Sequence, residues 1–246
     1  MFENNSISPA NNLIWDSAFF GLPIARLDVV QTLSSDQILG LLQKLKSQKV
    51  SLLYFFVDQN DKKTFDNALK AGGLPVGSRA VFVIDINNML YKKKVSNIQE
   101  YLDSHVDPVL IDLALQSGLY SRFQMDKNLP EGAFGKLYET WITRSVKKEI
   151  AEAVFVYKNN HNEIRGLITL GKSGERGDIG LLGVDTESRG QSIGTKLVDE
   201  AVHYFKKKKI RELQVVTQGN NLPAVHFYTK YGFLKESEHY IFHFWL

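Results

Sequence analysis

From Ile193 onward the apolar residues Ile193, Leu197, Val198, Ala201, Val202 and Phe205 recur at three-to-five-residue spacing, one buried stripe of an amphipathic helix. Just ahead, the short apolar run Ile179 to Val184, bounded by Asp178 and Asp185, predicts a buried strand. Two more strands are predicted at Ala153 to Tyr157 and Ile164 to Leu170. The turn residues Asn159-Asn160-His161-Asn162 join them, and the glycines of GKSGERG lead into Ile179, so the three should form an antiparallel meander. Val109 to Leu119 and Phe134 to Val146 carry helical spacing; in the second, Leu137, Tyr138, Trp141, Ile142 and Ser145 share a face. Between them YSRFQMDKNLPEG reads as a loop. Leu213 to Thr217 predicts a strand, followed by a helix with Asn220 or Asn221 as N-cap, Pro223 in its first turn and Gly232 closing it. Tyr240, Phe242 and Phe244 alternate with Ile241, His243 and Trp245, a final strand with bulky residues on both faces.

The first part of the chain echoes the last. Ser51 to Val57, SLLYFFV, predicts a buried strand; a helical pattern through Phe65, Ala68 and Leu69 ends at Gly72-Gly73, and a strand follows from Arg79 to Ile86. ALKAGGLPVGSRAVFVID thus repeats the order of FYTKYGFLKESEHYIFHF, with Leu69 roughly where the second copy has Tyr228. The charged YKKK at Tyr91 to Lys94 marks the expected junction, dividing a smaller unit, 1–94, from a larger one, 95–246.

Composition narrows the function classes. The chain has 246 residues, enough for one large core or two small ones, with 43% hydrophobic and 23% charged residues. A net charge of +3 is too small to argue for nucleic acid. Cysteine is absent, which removes disulfides and thiolate metal sites and fits a reducing cytoplasm. MFENNSISPANNLIW shows no signal-peptide pattern, and no apolar run approaches the ~20 residues of a membrane span. The expectation is a cytoplasmic protein without a nucleic-acid or membrane partner; a homodimer is left open. His239 and His243 lie four residues apart on a strand, about 13 Å at ~3.3 Å per residue, too far to share one metal.

The chemistry concentrates in TESRGQSIGTKLVDE. Arg189 and two glycines sit between a strand and a helix N-terminus, where free backbone N–H groups and the helix dipole make an anion site. Gly190 and Gly194 allow close backbone approach, and Arg189 adds donors. The spacing matches neither GxxxxGK[ST] nor GxGxxG, so neither nucleotide motif is present.

RGQSIG, a long helix, a strand and then NLPAVHFYTKYGF resemble the GCN5-related N-acetyltransferase (GNAT) superfamily, whose marks are an [RQ]xxGx[GA] loop and a downstream NxxAxxxY…GF element. The likeness covers roughly 95–246, with Ser192 where the family usually has glycine. It implies an α/β fold with a mixed, mostly antiparallel central sheet flanked by helices, and the first unit becomes a truncated, degenerate copy of that fold. WDSAFFG, SRF with its following loop and FGKLYETWI, and VVTQGNN add a narrower likeness to the TDP-fucosamine acetyltransferases, which act on dTDP-4-amino-4,6-dideoxygalactose in surface-polysaccharide synthesis.

The resemblance implies acetyl-CoA as co-substrate and no metal. Arg189, Gly190, Gln191, Ser192, Ile193, Gly194 and Thr195 would hold its pyrophosphate, while Leu182, Val184 and Asn221 would meet the pantetheine arm. A backbone N–H near Leu181 or Leu182 would face the developing oxyanion. Tyr228 is the candidate catalytic acid, its phenol protonated at neutral pH with a reference pKa of about 10; by residue type alone it reads as a core aromatic, and Asn221 reads equally as a helix cap. Asp178, Glu163 and His226 are the candidates for a base, beside bulk water. The Lys206 to Lys209 run ends a helix or contacts the CoA 3′-phosphate. For the acceptor, Trp15, Phe19, Phe20 and Phe123 are candidates to stack on thymine, although by residue type these aromatics read as core, and Arg122 is the candidate to pair with phosphate. The expected reaction is direct acetylation of the 4-amino group of a dTDP-linked amino-deoxy sugar. The alternatives are another amine, such as a protein N-terminus, polyamine or antibiotic, or a non-catalytic CoA-binding module.

Overall fold

The computed structural model describes residues 9–87, 89 and 97–246, so the junction expected at Tyr91 to Lys94 lies outside the described residues. The chain runs β1 (Asn11–Asn12), α1 (Ile14–Phe20), β2 (Ile24–Asp28), α2 (Ser35–Ser47), β3 (Leu52–Asp58), α3 (Lys62–Lys70), β4 (Leu74–Asp85) and β5 (Ile98–Glu100). It continues α4 (Pro108–Ser117), α5 (Arg122–Met125), α6 (Ala133–Val146), β6 (Ala153–Lys158), β7 (Ile164–Ser173), β8 (Arg176–Val184), α7 (Ile193–Lys207), β9 (Glu212–Thr217), α8 (Leu222–Tyr231) and β10 (Leu234–Trp245). All the strands join one ten-stranded sheet in the order β1-β2-β3-β10-β4-β9-β8-β7-β6-β5. The expected meander is present, with β6, β7 and β8 antiparallel and β5 added at its edge.

The sequence echo takes a definite form. Each copy is a parallel pair bridged by a helix, β2–α2–β3 and β8–α7–β9, followed by a second helix and a long strand, α3–β4 and α8–β10. The long strands change places: β10 lies between β3 and β4, and β4 lies between β10 and β9. Exchange explains why β10 is bulky on both faces. Phe242 and Phe244 pack with Leu53, Phe55 and the α2 residues Ile38, Leu41 and Leu45, while Ile241 packs with Tyr54, Phe123 and Leu137 on the other side. The α7 stripe and Tyr228 cover one face of β8 and β9, and α4 and α6 cover the opposite face near β6 and β7.

Helix ends also follow the sequence. Ser34 and Gln37 form a reciprocal capping box on α2, Asp61 caps α3 through Thr64 N–H, and Asn221 Oδ1 accepts from Ala224 N–H at 3.2 Å on α8. Two C-terminal bonds set the register of the repeat: Gly73 N–H donates to the Ala68 carbonyl at 2.9 Å, as Phe233 N–H does to the Tyr228 carbonyl at 3.0 Å. The counterpart of Tyr228 is therefore Ala68, one position before the expected Leu69. Among the described residues no helix is long and apolar enough to cross a membrane.

Candidate active site

β8 and β9 pair only over Gly177 to Ile179 and Leu213 to Val215, although β8 runs on to Val184 and β9 to Thr217. The break coincides with an irregularity in β8, where Ile179 pairs with Leu170 but Leu182 pairs with Ile168, leaving Gly180 and Leu181 opposite Thr169. Thr169 Oγ1 accepts the Leu181 N–H at 2.8 Å, and a Cβ on Gly180 would meet the same oxygen at 2.8 Å. The threonine and glycine together bend the strand away from β9. That bond also engages the Leu181 amide, which removes it as a donor to substrate and narrows the oxyanion expectation to Leu182.

A cavity of about 250 Å³ fills the opening. Leu182, Asn221 and Tyr228 line it, together with Arg122, Phe123 and the β4 residues Ser78 and Arg79. β4 belongs to the first copy, so strand exchange brings residues of both copies to one cavity.

At the outer end of β8, the loop reaches α7 through two residues in left-handed conformation, Gly190 at φ 80° and Ser192 at φ 59°. Ser192 thus adopts the backbone that glycine favours, at the one position where the motif departs from its family pattern. No side chain caps α7, and the Lys196 N–H is the first to bond back, to the Ser192 carbonyl at 3.0 Å. Gly194 lets Phe227 pack close: a Cβ there would lie 3.3 Å from its ring. Gln191 is exposed and Thr195 half-buried on the same turn. Arg189 is held back along the strand, Nε donating to the Val184 carbonyl at 3.2 Å and Nη2 to Gln116 Oε1 at 3.3 Å. Lys206 to Lys209 lie at the far end of α7, about 22 Å away at ~1.5 Å per residue, where Lys208 pairs with Glu152 at 2.6 Å.

Tyr228 is both a packed core aromatic and a residue of the cavity wall. Its ring packs against Phe227 and Phe233, with centroids 5.1 and 5.5 Å away, and its side chain borders the cavity. Burial raises its pKa, so the phenol holds its proton across the neutral range. Asn221, half-buried, both caps α8 and lines the cavity.

The acceptor candidates separate. Arg122 and Phe123 line the cavity; Phe20 is core, stacked behind Phe123 at 5.8 Å, and Trp15 stands outside, stacked on Phe19 at 5.1 Å. Of the base candidates, Glu163 is exposed and paired with Arg165 at 2.7 Å, and His226 is exposed on α8. Asp178 is half-buried where β8 and β9 still pair, accepting from Gln214 Nε2 at 2.9 Å; burial raises its pKa against that bond and the charge of Arg79. His243, buried, shares its Nδ1 with Asp126 at 2.6 Å and stacks on Tyr54. Arg79 and Ser78 were not legible as site residues: they sit in a strand pattern far along the chain from the other motifs.

Residues 119–233 match the Acetyltransferase (GNAT) family. The spore coat polysaccharide biosynthesis protein SpsD of Bacillus subtilis (strain 168) is 27% identical over 136 residues, covering 55% of this chain and 46% of that protein. The chain therefore spans less than half the length of this curated relative. A functionally unknown conserved protein from Staphylococcus epidermidis has a similar fold, with a TM-score of 0.63 at 15% identity over 99% of this chain and 96% of that one. A GCN5-related N-acetyltransferase from Sphaerobacter thermophilus gives 0.61 at 12% identity, covering 96% and 76%. The opened parallel pair and the uncapped helix both lie inside the segment that matches the acetyltransferase family, residues 119–233, in a sheet that β1 to β5 and β10 complete.

Proposed function

We propose that the chain is an acetyl-CoA-dependent N-acetyltransferase acting on the 4-amino group of a dTDP-linked amino-deoxy sugar. The observation that carries the reaction class is the parting of β8 from β9 beside Tyr228, with the uncapped N-terminus of α7 following the outer end of β8. The residues present fit acetyl-CoA. Backbone N–H groups at the start of α7 are without intrahelical partners and suit a pyrophosphate, and the unpaired edge of β8 near Leu182 and Val184 suits an extended amide-bearing arm. Bound there, the co-substrate supplies an acetyl thioester.

The chain's own groups then have distinct tasks. Tyr228 holds a proton at its phenol oxygen, for delivery to a departing thiolate. Leu182 offers its backbone N–H beside the bend in β8. Asp178, the one base candidate that is partly buried, would take the proton of the attacking amine through water, since it does not itself line the cavity. Arg122 and Phe123 place an anionic, ring-bearing acceptor opposite Tyr228. The sugar-nucleotide class is supported by the placement of these two residues of the SRF segment and by the polysaccharide role in the name of the Bacillus relative.

The test is thiol release from acetyl-CoA across a panel of dTDP-amino sugars; a chain without cysteine adds no thiol background. Release that depends on one sugar is the expected result. Activity with a protein N-terminus, polyamine or antibiotic alone would reassign the acceptor, and CoA binding without turnover on any amine would leave a binding module.

A further inference from the structure

The cavity wall carries two guanidinium groups from different copies, Arg79 on the exchanged strand β4 and Arg122 at the start of α5. Among the described residues, neither lies within 4.0 Å of a carboxylate oxygen. This contrasts with Arg26, Arg144, Arg165 and Arg176, each paired with an acid at 2.7 to 2.9 Å. Arg122 lies over two rings, its Cζ 4.2 Å from the centroid of Phe123 and 4.8 Å from that of Tyr54, and its Nε is buried without a hydrogen-bond partner. Half-burying an unpaired cation is costly, and burial pushes both arginines below the usual guanidinium range, with repulsion from Arg26 acting the same way. Asp16 near Arg122 and Asp178 near Arg79 supply only distant compensation, and burial raises the pKa of each.

We propose that Arg79 and Arg122 together seat an oxyanion of the acceptor, a phosphate or a carboxylate, in the cavity opposite the acetyl-donor loop. The proposal rests on the acetyltransferase reading and adds to it a second anchor, Arg79, for the charge of an anionic acceptor. It also gives the first copy a task, since β4 delivers one half of the clamp. An oxyanion would complete the hydrogen bonding of the forked donors and offset the repulsion between two half-buried cations. This site is separate from the α7 N-terminus, where Arg189 is already turned back onto Val184 and Gln116.

The experiment uses the full chain saturated with CoA, so that the donor loop is filled. Calorimetric titration with dTDP, inorganic pyrophosphate and succinate then reads the second anion site. Binding of dTDP or pyrophosphate that weakens at least about ten-fold in both Arg79→Met and Arg122→Met identifies a phosphate-bearing acceptor. Binding of succinate alone with the same losses identifies a carboxylate. CoA affinity of each variant reports folding; a variant that fails it is replaced by Arg79→Gln or Arg122→Gln. Absence of binding by all three probes, or affinity unchanged in folded variants at both positions, overturns the clamp. Failure of the wild type to bind CoA would instead defeat the acetyltransferase reading.

Discussion

β2 and β3 stay paired from Ile24 and Leu52 through Asp28 and Phe56, whereas β8 and β9 part after Ile179 and Val215. The helices that follow differ in the same sense. α2 starts at a capping box, and the residue before it, Leu33, is buried with its N–H on Thr64 Oγ1 at 2.8 Å. α7 starts after two left-handed residues with no side-chain cap. Where the second copy has Tyr228 the first has Ala68, fully buried. One architecture thus serves as closed scaffold and as opened site. The difference comes from a few residues: Thr169 and Gly180 bend β8, the glycine-rich turn leaves amides free, and Ser34 with Gln37 consume them in the other copy.

The comparison can be broken most severely at the exchanged strand. Phe82 on β4 is buried against the α7 and α8 side of the sheet, so Phe82→Ala should cost about 3–5 kcal/mol. Because β4 and β10 interleave, urea unfolding should remain one transition by both circular dichroism and tyrosine fluorescence; two separated transitions would show that the copies fold independently. Next, Tyr228→Phe should lower kcat about 100-fold or more with acetyl-CoA affinity unchanged, while Ala68→Ser in the first copy should leave kcat alone. Equal kcat in Tyr228→Phe would reduce Tyr228 to a packing residue. Ser34→Ala should cost about 1 kcal/mol of stability through loss of its cap, without altering acetyl-CoA binding, as read by thermal melts with and without ligand. Ser192→Gly should change stability by only a few tenths of a kcal/mol, since relief of the left-handed backbone is offset by unfolded-state entropy.

The smallest effect is a trend with pH. Burial holds the folded-state pKa of Asp178 above its ordinary value, so the folded chain binds that proton more tightly than the unfolded one. Stability from this group is present at acid pH and falls as pH rises from the ordinary carboxylate value through the raised one. Asp178→Asn lacks that slope, so its melting temperature relative to wild type should climb across the window. A constant difference between the two proteins would contradict the assignment.

Local pattern determined much of this molecule. The α7 stripe, the meander, the Asn221 cap and the Gly232 stop are written in spacing and residue type within a few turns, and each appears where the chain places it. The proposed donor loop is legible for the same reason: a phosphate site at a helix N-terminus needs only a contiguous run of backbone. β1, α1, β2, α2, β5 and α5 escaped the reading, the strands and α5 because they are short and α2 because its buried positions, Ile38, Leu41 and Leu45, are sparse among polar residues. The parting of β8 and β9 depends on Thr169, a residue in the neighbouring strand. Arg79 reaches the cavity only because β4 pairs with β9 and β10, contacts more than a hundred residues away along the chain. Period and propensity act over neighbours, so they determined the elements. Strand exchange is chosen by which long, two-faced strand can bury both sides, and only the assembled sheet decides that.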